Sequence, residues 1–176
     1  FIAVAAEYPV ALYQAQRLPI ARWPNEGFVN IDEGVGGGKS VPGVSERNFT
    51  NGVFRFTAPR LARWAGEPDL WFIGYWFHPW ADERIGLKAL DLQEQTVALT
   101  KNPVFGLRKG REFYAFNAIG EIDRPGEWAI DRASRRLYLW PAADPGATPV
   151  VMARCGTLVS AENTTNVTFE GFTFEA

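Results

Sequence analysis

The sequence predicts an all-β protein, and three observations support this fold class. Short stretches of alternating apolar and polar residues recur along the chain and are separated by turns rich in Pro, Gly and Asp. Pro125-Gly126 has the residue order of a type II turn, since proline fixes φ at the first central position and glycine accepts a positive φ at the second. No long stretch has a helical period, and only one short helix is expected, after Pro59.

Residues 127–131 and 136–140 flank a short polar link and are predicted to pair as an antiparallel hairpin. Because side chains alternate along a strand, the apolar residues of both strands are expected on one face, namely Trp128, Ile130, Leu137 and Leu139. The charged residues at the strand ends are expected to point to water, namely Glu127, Asp131 and Arg136.

Other apolar stretches predict further strands in chain order, at residues 10–13, 17–21, 28–31, 51–57, 70–80, 85–90, 96–100, 150–153, 157–160 and 167–174. The stretch 70–80 is continuously apolar, which predicts a strand buried on both faces or packed under a loop. Glycine-rich residues 33–46 are expected to form a surface loop. Their Gly38-Lys39-Ser40 end is similar to the end of a phosphate-binding loop, but Glu33 replaces the first glycine and would repel phosphate.

Composition limits the classes of partner. With Lys+Arg 18 and Asp+Glu 20, the formal net charge is −2, which gives no electrostatic reason to expect nucleic acid or an anionic membrane. No apolar run approaches the roughly 20 residues that a membrane-spanning helix needs. Cys155 is the only cysteine, so the chain can form neither an internal disulfide nor a Cys-based metal site. We therefore predict no cofactor, metal, nucleic acid or membrane partner.

Four segments carry a resemblance to a known family. They are ARWPNEGF at 21–28, DLWFIGYWFHPWADE at 69–83, RPGEWAIDRASRRLYLWP at 124–141 and NVTFEGFTFE at 166–175. In this order they resemble the N-terminal part of secreted right-handed parallel β-helix proteins that act on carbohydrates, near glycoside hydrolase family 141. In that family a β-rich domain is inserted early in the β-helix, so we expect the chain to be a piece of a longer protein.

The resemblance implies three parts of the chain: lead-in strands at 1–30, a compact β-sandwich or barrel-like inserted domain at 31–153, and the first coil of a right-handed parallel β-helix at 154–176. One such coil cannot bury its apolar face without stacked neighbours. The implied partners are the remainder of the protein's own β-helix and a polysaccharide. The implied location of the parent protein is extracellular or periplasmic.

Glycosidase chemistry needs two carboxylates, about 5–5.5 Å apart in retaining enzymes and about 6.5–9.5 Å apart in inverting ones. The acidic residues considered all stand beside turns or at predicted strand ends, namely Asp69, Asp82, Glu83, Asp91, Glu121, Asp123, Glu127 and Asp131. No spacing singles out a pair, so we assign no catalytic residue. The resemblance places the active site on the solenoid further along the chain, and we expect this part to be inactive by itself.

Five aromatic residues of the segment 69–83 are the candidate sugar contacts: Trp71, Tyr75, Trp76, His78 and Trp80. An aromatic face suits the C–H face of a pyranose ring. The alternative is that these tryptophans fill the core, and that His78 is a packed, hydrogen-bonded histidine. Three functions stay open: an inserted domain that shapes a substrate groove or caps the solenoid, an autonomous carbohydrate-binding module, and a purely structural cap.

Overall fold

The computed structural model describes residues 10–13, 16–144, 146, 150–153 and 159–172. In these ranges the chain is built from strands with one short helix, α1 (Leu61–Trp64), and one 3-10 turn (Ile119–Glu121), which confirms the all-β class. The strands are β1 (Val10–Tyr13), β2 (Gln16–Arg17), β3 (Arg22–Trp23), β4 (Val29–Asn30), β5 (Glu33–Gly34), β6 (Lys39–Val41), β7 (Val44–Asn48), β8 (Val53–Arg55), β9 (Trp71–Gly74), β10 (Glu83–Asp91), β11 (Thr96–Leu99), β12 (Glu112–Phe116), β13 (Trp128–Asp131), β14 (Arg136–Leu139) and β15 (Val150–Ala153). Neither helical segment of the described part is long and apolar enough to cross a bilayer.

One large antiparallel sheet forms the body of the protein, in the order β3-β12-β9-β10-β11-β8-β5, and β4 also pairs with β12. The long strand β10 pairs with β9 through residues 83–86 and with β11 through residues 87–91. Lys88 has no partner position on β11, because Leu87 is opposite Leu99 and Ala89 is opposite Ala98. This β-bulge divides the sheet into two halves, and bulged strands of this kind form the corners of β-sandwiches.

Aromatic side chains from both halves fill the core. The ring of Phe113 on β12 lies 5.1 Å from Phe54 on β8 and 5.9 Å from Phe72 on β9, in edge-to-face geometry. Trp64 on α1 lies 5.7 Å from Phe72. All four side chains are at most 1% exposed. Edge-to-face pairs of this kind add to the free energy gained by burying the rings, so the aromatic core holds the two halves together.

The predicted hairpin is present, with β13 and β14 antiparallel and Trp128 opposite Leu139. Its entry turn has the expected glycine conformation, with φ of 92° at Gly126. Two orientations differ from the prediction, because Glu127 is only 3% exposed and Asp131 only 9%. Both carboxylates bind main-chain N–H groups of adjacent turns, which makes their burial tolerable.

The contacts of these two carboxylates explain their inward orientation. Glu127 Oε2 accepts hydrogen bonds from the N–H groups of Asp123 at 2.8 Å and Arg124 at 3.0 Å. Asp131 accepts from the hydroxyl of Ser134 and from the N–H of Ala133 at 3.0 Å. The Ser134 hydroxyl and these N–H groups lower the pKa of Asp131, since they stabilise the ionised carboxylate. Each carboxylate therefore stabilises a turn next to a hairpin strand by accepting hydrogen bonds from the turn residues.

The prediction of a surface loop at residues 33–46 is wrong. This segment contains β5, β6 and part of β7, and Val41 of β6 is opposite Val44 of β7. Pro42-Gly43 joins them with φ of 75° at Gly43, the same Pro-Gly turn chemistry that marks the hairpin at 125–126. A Cβ atom on Gly34 would lie 2.3 Å from the ring of Phe49, so this glycine leaves space for a packed aromatic side chain. Glycines of this segment therefore either form a turn, as Gly43 does, or leave space for a side chain, as Gly34 does.

The predicted strand at 70–80 is shorter, because β9 ends at Gly74. A Cβ atom on Gly74 would lie 2.7 Å from the ring of Trp76, so the indole packs directly on the backbone after the chain leaves the sheet. The strand predicted at 17–21 is likewise limited to the two residues of β2, which pair with β1.

The described residues 159–172 contain no strand, although strands were predicted at 157–160 and 167–174; residues 157–158 and 173–174 lie outside the described residues. Apolar side chains of this segment are exposed, with Val167 at 54%, Phe169 at 50% and Phe172 at 68%. Extended segments need a neighbouring strand to satisfy their main-chain groups. The boundaries at residues 30 and 153 stay a prediction, although β3 of the lead-in part pairs with β12 of the sheet.

Candidate functional site

The five candidate sugar contacts lie in different environments, and Trp76 is part of the core. Its side chain is 1% exposed, and its Nε1 donates a hydrogen bond to the main-chain oxygen of Glu83 at 3.1 Å. The ring also stacks 6.2 Å from Phe113. Trp76 therefore fills the core, as the alternative prediction stated, and its buried indole offers no face to a ligand.

His78 and Trp80 lie together on the surface with Phe105, and we call these three residues the Trp80 platform. The imidazole and indole rings are stacked with centroids 4.9 Å apart and planes 16° apart. The ring of Phe105 is perpendicular to His78 at 5.0 Å and lies 5.4 Å from Trp80. Trp80 is nevertheless 69% exposed, so the indole is supported on one side and open to solvent.

Two connected loops position the platform. His78 and Trp80 lie between β9 and β10, and Phe105 lies between β11 and β12. The loops are joined where the N–H of Val104 donates to Oε2 of Glu83 at 2.7 Å and the N–H of Arg108 donates to the main-chain oxygen of Trp76 at 2.9 Å. No local pattern marks Phe105 as a site residue, and only its apolar character within a predicted loop could have indicated it.

Tyr75 belongs to a separate aromatic group on the other side of the sheet from Trp76. Its ring lies 5.7 Å from Phe28, and the ring of Phe28 lies 5.5 Å from Tyr114. The guanidinium of Arg22 lies 3.5 Å from the centre of the Tyr114 ring and donates to the main-chain oxygen of Pro24 at 2.9 Å. Burial raises the pKa of Tyr114, and the nearby Arg22 charge opposes this change. These contacts fix the turn that precedes β4.

Trp71 is half-buried and lines a groove of about 490 Å³. Its Nε1 donates to Oδ1 of Asp69 at 2.9 Å. Arg132 binds the same carboxylate with two hydrogen bonds, at 2.6 Å and 3.0 Å, and its guanidinium lies 4.8 Å from the centre of the indole ring. Leu70, Gly86, Lys88 and Thr100 also line the groove.

Most of the carboxylates considered for catalysis bind groups within the fold. The most buried is Glu121, which is 1% exposed. It accepts hydrogen bonds from Nε of Arg60 at 2.8 Å and from Nε1 of Trp64 at 2.9 Å. Further members of the set with contacts to backbone or side-chain donors are Asp69, Glu83, Asp91, Asp123, Glu127 and Asp131. Within the described ranges, no three His, Cys, Asp or Glu side chains are grouped so as to hold a metal ion.

No protein-family model matches this sequence, and no curated protein matches it. The fold is similar to a solved structure titled "Glycoside hydrolase", with a TM-score of 0.55 and 14% sequence identity. The similarity covers 75% of this chain and 23% of that one, so the matched part is under a quarter of the other protein's length. At this identity the similarity shows a shared fold.

Proposed function

We propose that this chain is a non-catalytic β-domain of a longer, secreted carbohydrate-active protein, and that the Trp80 platform contacts its glycan. The parent protein acts outside the cell or in the periplasm and continues as a right-handed parallel β-helix. The domain shapes the substrate groove or caps the solenoid. The alternative is an autonomous carbohydrate-binding module that uses the same platform, and full glycan affinity of this chain without the rest of the protein would favour it.

The observation that carries this proposal is the exposure of Trp80. A large apolar ring that is 69% exposed buries only a small part of its surface in the fold. Its stacking on His78 at 4.9 Å holds the indole in place before a ligand arrives, which lowers the entropy cost of binding. A flat, pre-positioned indole face is suited to the apolar face of a pyranose ring. The similarity to a glycoside hydrolase over 75% of the chain supports this choice of ligand.

The two most buried acidic residues offer no catalytic pair. Glu121 and Glu127 are 1% and 3% exposed and bind donors of the fold, so neither presents a free oxygen at the surface. A glycosidase pair needs one carboxyl group that protonates the leaving group and a second that acts as nucleophile or base. Measurable cleavage of a glycan by this chain would contradict the proposed role.

Affinity electrophoresis tests the glycan contact. We expect migration of the chain to be slowed in gels that contain a matching polysaccharide, with xylan, β-glucan and pectin as the first panel. Trp80→Ala should abolish the retardation on β-glucan, which is a neutral polysaccharide. Trp140→Ala is the matched control, because Trp140 is also exposed, at 46%, but lies beside the hairpin. Equal retardation of both variants, or no retardation on any polysaccharide, would rule out the platform as the glycan contact.

A purely structural cap is favoured by a different observation, the exposure of Val167, Phe169 and Phe172 in a segment without strand pairing. Further chain packed on this segment would bury these side chains. Hydrogen exchange at residues 167–172 should then be much slower in a longer protein that contains the domain than in the 176-residue chain. Equal exchange rates in both would exclude packing of this segment on the rest of the protein.

A further inference from the structure

The groove beside Trp71 lies at the bulge that divides the sheet. At residues 86–88 strand β10 leaves its pairing with β9 and begins its pairing with β11. Lys88 is the unpaired bulge residue, and it lines the groove together with Trp71 and Thr100. Bulges redirect side chains, and they are common beside functional sites. The irregularity in β10 therefore lies at the groove, and the bulge residue is one of its lining residues.

One wall of the groove is an ordered aromatic side chain. The indole of Trp71 is held by its hydrogen bond to Asp69 and by Arg132, 4.8 Å from the ring centre. Gly86 forms part of the floor, where a Cβ atom would lie 3.4 Å from Thr100 and 3.5 Å from Trp71. The absence of a side chain at this position leaves space between the indole and the Thr100 hydroxyl. The volume of about 490 Å³ is in the range of small-molecule sites.

Glu67, Asp69 and Lys88 are the charged residues that line the groove. Asp69 is paired with Arg132, and the carboxylate of Glu67 accepts the N–H groups of Ile119 at 2.7 Å and Gly120 at 2.6 Å. No hydrogen bond or ion pair of Lys88 is found within the part of the chain that the structure describes. A groove lined by a lysine, a tryptophan and a threonine offers groups that can bind the carboxylate, ring face and hydroxyl groups of an acidic sugar.

We propose that this groove is a subsite for a uronic acid unit, with its pyranose ring against Trp71, its carboxylate on Lys88 and a hydroxyl group on Thr100. This inference rests on the proposed contact with carbohydrate and names the sugar class that a second position on the domain accepts. The site is separate from the Trp80 platform, which carries no cation in its ring stack.

Isothermal titration calorimetry with oligomers of galacturonate and of mannuronate, each compared with its methyl ester, tests the proposal. The esters keep the ring and hydroxyl groups, remove the charge and add one methyl group. We expect at least one acid to bind about tenfold more tightly than its ester, and added salt to reduce this difference. Lys88→Gln should abolish the preference for the acid. Lys109→Gln, an equal loss of charge at an exposed lysine outside the groove, should leave it unchanged.

Gly86→Ala provides a second variant that does not remove a packed aromatic ring. Its methyl group would occupy the groove floor and should weaken binding of acid and ester alike, while circular dichroism confirms the fold. The proposal is overturned if neither acid binds, if acid and ester bind equally, or if Lys88→Gln retains the preference. Trp80→Ala distinguishes the two sites. This variant should still bind uronate through Lys88, even if the Trp80 platform proves not to bind glycan.

Discussion

Trp76 and Trp80 are four residues apart in the chain, yet one indole is 1% exposed and the other 69%. Trp76 faces rings contributed by distant strands, including Phe113 and Phe54 at 6.2 Å and 5.8 Å. Trp80 contacts His78 and Phe105, which belong to the two surface loops. Similar aromatic residues thus stabilise the sandwich in one region and form an accessible surface in the other.

The difference follows from where the strand ends. Gly74 allows the ring of Trp76 to pack against the backbone, and the chain then turns away from the core before it reaches Trp80. Apolar area buried in the core stabilises the fold in proportion to its size, whereas an exposed ring contributes little. Substitutions in the two regions should therefore separate effects on stability from effects on binding.

The largest loss of stability is expected for Phe113→Ala. This ring is fully buried and contacts Phe54, Phe56, Phe72 and Trp76. Its removal should lower the free energy of unfolding by about 3–5 kcal/mol, through lost transfer energy and the cavity that remains. Urea denaturation followed by tryptophan fluorescence measures this loss. Phe105→Ala, on the platform, is the control, and an equal loss in both variants would refute the distinction between the regions.

A smaller loss of stability is expected for substitutions of Glu121, at the polar edge of the core. Glu121→Ala would leave Arg60 and the Nε1–H group of Trp64 without their acceptor, at a cost of about 3 kcal/mol. Glu121→Gln keeps an acceptor for Trp64 but loses the charge that pairs with Arg60, so we expect an intermediate loss. Thermal unfolding of the three proteins should give the order wild type, Gln, Ala. A wild-type melting temperature for the Ala variant would show that this buried pair is dispensable.

The smallest effect on stability is expected for Trp80→Ala. The indole is exposed and contacts only the rings of His78 and Phe105 among the described aromatic residues. The free energy of unfolding should therefore change by about 0.5 kcal/mol or less. The same variant should lose all retardation on a gel that contains the neutral polysaccharide β-glucan. A large loss of stability would instead identify the platform as part of the packed fold.

Local turn chemistry made part of the fold predictable. Pro125-Gly126 and the polar link at 132–135 were sufficient to identify the hairpin of β13 and β14. The Pro42-Gly43 turn had the same signal, but the surrounding glycines suggested a loop. Those glycines instead lie against side chains such as Phe49, a long-range contact that no local pattern contains.

The candidate site was less predictable, because exposure depends on the tertiary structure. The apolar run at 70–80 indicated that its aromatic residues either bind a ligand or fill the core. It did not indicate which of them reach the surface. Phe105 joins the platform only because the loops after β9 and β11 meet. Lys88 lies in a stretch correctly predicted as strand, yet the bulge there depends on the registers of two partner strands. Sequence periodicity carries no information on such pairing.

Strand β10 runs through both halves of the sheet without interruption, since it pairs with β9 through its first residues and with β11 through its last. Neither half can separate from the other without breaking hydrogen bonds of the same nine-residue strand. Local disorder that starts in one half would therefore spread to its neighbour. We infer that the body of this protein melts as one cooperative unit.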